Sequence, residues 1–147
     1  MIALAPGPID PPALLADFTR AAGGAGAIVS FSGIVRADDA VTELWLDHHE
    51  TLTVSAVEAL AAIARDRFGL GGVAIVHRVG SVAPGEPIVF AAAAASHRRA
   101  AFDAVDFVMD RLKTAVPLWK CESRGPARTW VEARPQDHAD AARWESR

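Results

Sequence analysis

The sequence predicts an α+β fold, with antiparallel hairpins and interspersed helices forming one domain over residues 1–147. Three observations carry this. A tight turn, Pro84-Gly85-Glu86, separates the strand-like runs Val73–Gly80 and Pro87–Ala95, which is hairpin grammar. Apolar stripes of helical period lie interspersed among such runs. The chain has no repeats, low-complexity tracts or linkers, and its length suits a single buried core.

The elements follow in order. Asp10 before Pro11 makes an N-cap and first-turn proline, and Leu14, Leu15 and Phe18 share one helical face that ends at Gly23-Gly24. Ala27–Arg36 reads as a strand, with Gly33 marking a bulge or a close backbone approach. A turn over 37–40 leads into a second strand, Val41–His49, with Glu43 and Trp45 on one face and Leu44 and Leu46 on the other. Val54, Val57, Ala61, Ala64 and Phe68 follow the helical period until Gly69. The five alanines at 91–95 favour helix intrinsically. Ile88-Val89-Phe90 after a tight turn favours a strand, and the strand is the expectation here. A helix with the stripe Phe102, Val105, Met109 and Leu112 follows. It ends near Ala115, because a residue before proline is pushed out of the helical region and Pro117 lies just beyond. Leu118–Glu122 is extended, Ser123–Ala127 a turn, Arg128–Glu132 a short strand and Asp137–Trp144 a short helix.

Composition narrows the function. A net charge of −3 argues against a general nucleic-acid binder, so an anion site must be a local cluster of cations. No apolar run reaches the length of a bilayer span, and the N-terminus lacks the basic region of a secretory signal. The single cysteine excludes an internal disulfide and fits a reducing cytosol. A cytoplasmic protein is the expectation.

Of 15 Lys and Arg residues only two are lysine, Lys113 and Lys120, and they flank Pro117. Arginine stays charged, whereas a desolvated lysine loses its proton and can act as a base or nucleophile. Two ammonium groups near each other, beside the Trp119 indole, depress at least one pKa and suit an amine to proton transfer. The competing reading for Lys113 is a cation that complements the helix C-terminus. His97-Arg98-Arg99, at the start of the same helix, opposes the helix dipole. An anion site and a solvated basic turn are both open there. Asp47-His48-His49-Glu50 resembles a metal set, but alternation on a strand splits it between two faces, so no metal is expected. His77-Arg78 reads as a strand edge, and Cys121 as a small apolar filler or a sulfur carrier. His97 and Lys113 stand 16 positions apart, roughly 24 Å on a straight helix. They serve separate sites, or a two-fold dimer joins the helix start of one protomer to the helix end of the other.

Several segments occur in a familiar order: Phe31-Ser-Gly-Ile-Val-Arg36, Val76-His-Arg-Val-Gly80, Pro84-Gly-Glu86, Ser96-His-Arg98 with Ala101-Phe102, Leu112-Lys113, Val116-Pro-Leu-Trp-Lys120 with Glu122, and Trp130-Val-Glu132. Together they resemble the large, catalytic subunit family of molybdopterin synthase over residues 24–134. The resemblance implies an α/β-hammerhead-like fold and a homodimer. Each protomer of that dimer would bind a small ubiquitin-like sulfur-carrier subunit with a Gly-Gly C-terminus, making a heterotetramer. It implies a sulfurtransferase that moves sulfur from the carrier's thiocarboxylate to cyclic pyranopterin monophosphate, forming the dithiolene of molybdopterin. No cofactor, nucleic acid or membrane is implied.

Carried over by motif, the substrate-binding positions are Ile34, Val35, Arg36, His97, Arg98, Lys113, Lys120, Cys121, Glu122 and Arg134. Lys113 is the first choice for the catalytic amine, with Lys120 orienting the carrier's tail or the intermediate. The chain departs from the family in a short turn after Arg36, in His49 where many members have Tyr, and in Cys121 where a basic residue is common. The rival functional reading is a non-catalytic module that binds a phosphorylated ligand or a Gly-Gly-tailed protein.

Overall fold

Two four-stranded sheets and four helices make up the chain in a computed structural model that describes residues 1–36 and 40–145. The elements are β1 (Ile2–Ala5), α1 (Pro11–Ala21), β2 (Ala27–Ile34), β3 (Glu43–His48), α2 (Glu50–Phe68), β4 (Gly72–Arg78), β5 (Gly80–Val82), β6 (Pro87–Ala95), α3 (Arg98–Thr114), β7 (Leu118–Arg124), β8 (Ala127–Val131) and α4 (Pro135–Ala142). The first sheet runs β1-β4-β6-β2 and the second β5-β3-β7-β8. All pairings are antiparallel except β1 with β4. This is the α+β class that the hairpins predict.

The alanine run is a strand. Ala91–Ala95 lie fully buried in β6, between β4 and β2. Their alternate side chains face two cores: Val89, Ala91, Ala93 and Ala95 point toward α2 and α3, while Phe90, Ala92 and Ala94 pack with Phe18 of α1. Burial on both faces outweighs alanine's helical preference, and the small methyls let a helix lie close on each side. On α3 the matching surface is Ala101, Ala104, Val105, Phe107, Val108 and Leu112. Phe102, which the helical period puts in that stripe, is 55% exposed. The buried arc is centred on Ala101, Ala104, Val108 and Leu112 instead, and Phe102, about 100° around the helix from Ala101, falls outside it.

Other boundaries differ from the sequence expectation for identifiable reasons. Strand β1 has no counterpart there; its four residues pair with β4 from Ile2↔Ile75 to Ala5↔Arg78. The run expected over Val73–Gly80 breaks at Val79, and Gly80 takes a left-handed φ of 75°, which suits a residue without Cβ. Residues 73–78 of the run stay with β4 in the first sheet, and only Gly80 passes into β5 of the second. Helix α2 starts at Glu50, four residues before Val54, because His49 caps it: its Nδ1 accepts the Leu52 N–H at 3.4 Å. Strand β7 continues to Arg124, and the turn narrows to Gly125-Pro126. Helix α4 starts earlier than expected, at Pro135, and Trp144 falls beyond its end. At Gly33 the β2–β6 register shifts, and an added Cβ would sit 2.7 Å from Val89 Cγ1, so bulge and close approach coincide. The turn expected over 37–40 lies, for residues 37–39, outside the described residues.

His77 and Arg78 are not at a sheet edge. Strand β4 lies between β1 and β6, and both side chains are buried. Arg78 donates to Ser81 O at 2.7 Å and pairs with Glu86 Oε2 at 3.4 Å. Glu86 Oε2 also accepts the Ala83 N–H at 3.0 Å, which closes the β5–β6 turn. That turn grips the end of β2 through Val35 N–H to Glu86 O (3.0 Å) and Gly85 N–H to Val35 O (2.7 Å).

Candidate active site

A cavity of about 450 Å3 opens where the end of β2, the end of α3, the inner face of β7 and the start of α4 converge. Strand alternation decides what β7 offers it. Leu118, Lys120 and Glu122 point inward, while Trp119 and Cys121 belong to the opposite face. Helix α3 delivers Lys113 from its last turn, where the chain must leave the helix before Pro117. The segment Ile34-Val35-Arg36, held by the β5–β6 turn, forms a second wall, and Arg134 and Asp137 form a third.

The two lysines therefore meet in one pocket, with Arg36 and Arg134 beside them. Lys113 Nζ donates to Asp137 Oδ1 at 3.2 Å. Arg134 donates to the same carboxylate three times: through its backbone N–H to Oδ2 at 2.9 Å, through Nε to Oδ2 at 3.3 Å, and through a terminal nitrogen to Oδ1 at 3.2 Å. The Arg134 bonds, then the backbone N–H and Lys113, hold the Asp137 carboxyl well below the usual carboxylate range, against the opposing effect of burial. Glu122 is paired with Arg124 at 2.8 Å.

Lys120 is the perturbed amine. Burial pushes its pKa down, and the charges of Lys113 and Arg134 add to the shift. Asp137 and Glu122 oppose it. The Trp119 indole, expected beside this ammonium, is on the other face of β7 and half exposed. Burial and a second ammonium supply the effect expected of the indole. His77 feels the same cation: burial lowers its pKa to about 4, its ring contact with Arg78 O at 2.7 Å opposes that, and the Lys120 charge reinforces it.

Of the residues singled out in the sequence, Ile34, Val35, Arg36, Lys113, Lys120, Glu122 and Arg134 line this cavity. His97 and Arg98 do not; they stand at the opposite end of α3, with His97 at its N-cap. Cys121 is buried on the far face of β7, level with Trp45 of β3 and Trp130 of β8. Asp137 lines the same cavity, and sequence reasoning misses it. Its signal lies in Arg134-Pro135-Gln136-Asp137, where proline opens a helix and an acid stands at its third position, a capping-box pattern that puts the carboxylate back over residue 134. In the Asp47–Glu50 stretch His49 caps α2 and Asp47 Oδ1 accepts the His48 N–H at 3.0 Å. No group of three or more potential metal ligands exists among the described residues.

Known proteins share both the sequence and the fold. The profile of the MoaE protein family matches residues 4–115. The molybdopterin synthase catalytic subunit of Caulobacter vibrioides is 41% identical over 146 residues, covering 99% of this chain and 97% of that protein. The protein of that name from Pseudomonas aeruginosa is 46% identical over 125 residues, covering 83% of each. Among solved structures, the molybdopterin biosynthesis MoaE protein from Burkholderia ambifaria superposes with a TM-score of 0.84 at 40% identity, over 99% of this chain and 97% of that one. The same fold, at 24% identity and a TM-score of 0.79, occurs in a complex of subunits 1 and 2 of molybdopterin-converting factor from Helicobacter pylori. The chain thus belongs to the MoaE family of molybdopterin synthase catalytic subunits.

Proposed function

We propose that this pocket transfers sulfur from the C-terminal thiocarboxylate of a small Gly-Gly-tailed carrier subunit to cyclic pyranopterin monophosphate, building the dithiolene of molybdopterin. The observation that carries the reading is the convergence of both lysines of the chain, with Arg36 and Arg134, on one cavity. Arginines suffice to hold a phosphate. A buried amine with a lowered pKa serves proton transfer instead.

The surroundings of each residue suggest its role. Arg36 and Arg134 hold the anionic substrate. Lys120 handles the proton as sulfur adds and the cyclic phosphate opens, because burial and the charges of Lys113 and Arg134 lower its pKa. Lys113, the first choice from sequence, is ion-paired with Asp137 and acts as a fixed cation that steadies developing charge. Ile34, Val35 and Glu122 shape the wall against which the substrate lies.

His97 and Arg98 enter through a second protomer. A two-fold homodimer that sets the start of α3 beside the partner's pocket completes a composite anion site, and one carrier per protomer gives a heterotetramer. Residues 1–147 act as one domain in this reading. The reaction runs in the cytoplasm; no described helix is long and apolar enough to cross a membrane.

The test is reconstitution with thiocarboxylated carrier and cyclic pyranopterin monophosphate, followed by assay of dithiolene product. Lys120→Ala is expected to lower turnover by roughly 10²–10⁴-fold, the range of general acid–base catalysis. Lys113→Arg should retain more activity than Lys113→Ala. Parent-like turnover in both alanine variants would remove the amines from the mechanism, and ligand binding without turnover by the parent would leave a binding module. A strictly monomeric mass in solution would sink the composite site.

A further inference from the structure

We propose that Asp137 is a positioning residue for the amine pair: carried on the first turn of α4, its carboxylate ties Lys113 to Arg134 and sets a fixed negative charge beside Lys120. The inference rests on the sulfur-transfer reading for its activity arm and is independent of that reading for its spectroscopic arm.

The geometry is that of a built anchor. Asp137 is 8% exposed, and both its oxygens are engaged, Oδ1 by Lys113 and an Arg134 terminal nitrogen, Oδ2 by the Arg134 backbone and Nε. A surface capping carboxylate needs only the backbone contact. Here the same group reaches 24 positions back along the chain to the end of α3. Helix α4, which carries it, is itself pinned at its far end. Trp144 Nε1 donates to Asp110 Oδ2 at 2.7 Å, Arg143 bridges Asp106 and Asp110 at 2.7 and 2.8 Å, and Arg67 donates to Trp144 O at 2.6 Å. Both ends of the Lys113–Asp137 pair thus sit on α3 and on the helix fastened to it. The carboxylate is held to a position rather than to a neighbourhood.

The charges facing Lys120 come from every wall. Lys113 stands on α3, Arg134 and Asp137 at the start of α4, and Glu122 on β7 itself. Arg36 lies at the end of β2, Glu132 just beyond β8, and His77 on β4. Asp137 opposes the charges of Lys113 and Arg134. Removing its charge while keeping its shape leaves those cations uncompensated, so the Lys120 ammonium releases its proton at lower pH.

Only two lysines exist, so protein carrying ¹³C at the lysine Cε gives two side-chain signals, assigned with Lys113→Arg. In Asp137→Asn the Lys120 signal is expected to titrate about one pH unit lower than in the parent, with kcat/KM for dithiolene formation reduced about 10- to 100-fold through misplaced cations. Asp137→Glu keeps both the charge and the capping pattern and should restore the parent titration. Trp144→Phe, which removes the Asp110 bond without touching the pocket, controls for a loosened helix. The proposal is overturned if Asp137→Asn leaves the Lys120 titration unchanged, if Asp137→Glu titrates like Asp137→Asn, or if Trp144→Phe reproduces both effects. A Lys120 titration shifted by Asp137→Asn, together with a parent that forms no dithiolene, would retain the anchor and reject the sulfur-transfer reading. Unshifted signals with an active parent would do the reverse.

Discussion

His77 carries a neutral ring into the interior of the first sheet, next to a cation it does not bond. Its pKa is lowered to about 4 from an ordinary 6.5, mainly by burial. The unfolded chain therefore takes up the proton first, and stability falls as pH drops from about 6.5 toward 4. The full loss is on the order of 3 kcal/mol. Denaturant melts at pH 7 and 4.5 should reveal this slope, and His77→Gln should flatten it. A slope equal in both proteins would assign the acid sensitivity elsewhere. Residue chemistry is partly legible in the sequence: a pair of lone lysines flags the pocket. The environment of each amine is not. Which lysine is desolvated depends on the inward phase of β7 and on a carboxylate 24 positions from Lys113, and neither is a local property of Val116–Lys120.

Helix α4 is held mainly by the residues just past its C-terminus. Trp144, beyond the helix end, packs edge-on against Phe68 and Phe107, with ring centroids 5.9 and 5.5 Å away, and Arg67 lies over all three rings. Trp144→Ala should cost about 3–5 kcal/mol, the range for a buried tryptophan, measured by denaturant unfolding. A loss below about 1 kcal/mol would mean the cluster is not what fastens α4. Elements with strong local grammar are readable: α1 from its cap and proline, β6 from the tight turn that precedes it, and β3 from its alternation. Strand β1 is not, because four residues carry no period, and their structure comes from pairing with β4 some 70 positions away. The face of α3 is misjudged at Phe102 for a similar reason. Hydrophobicity alone does not reveal which arc of the helix the sheet covers, and Phe102 lies just outside it.

At the scale of the molecule, the two sheets are joined through the break at Val79, with the pocket at their junction. Family and fold class are legible from ordered short motifs and hairpin signals. Sheet order is not, since it depends on pairings between distant segments. A ligand that binds this pocket only in the folded chain stabilises the whole chain by mass action, about 2.7 kcal/mol at 100 times its Kd. Thermal melts with cyclic pyranopterin monophosphate should show a rise in Tm that Arg36→Ala reduces; an unchanged Tm at saturating ligand would place binding elsewhere.

The walls of the cavity come from residues 34–36, 113–122 and 131–137, with Val41, Leu44 and Ile88 between them, segments that meet only after both sheets have closed on each other. Occupancy should therefore slow amide hydrogen exchange in β2, β7 and the start of α4 in concert, as one cooperative unit. Bound substrate acts in effect as a reporter of global assembly, and a partly folded chain would have nowhere to hold it.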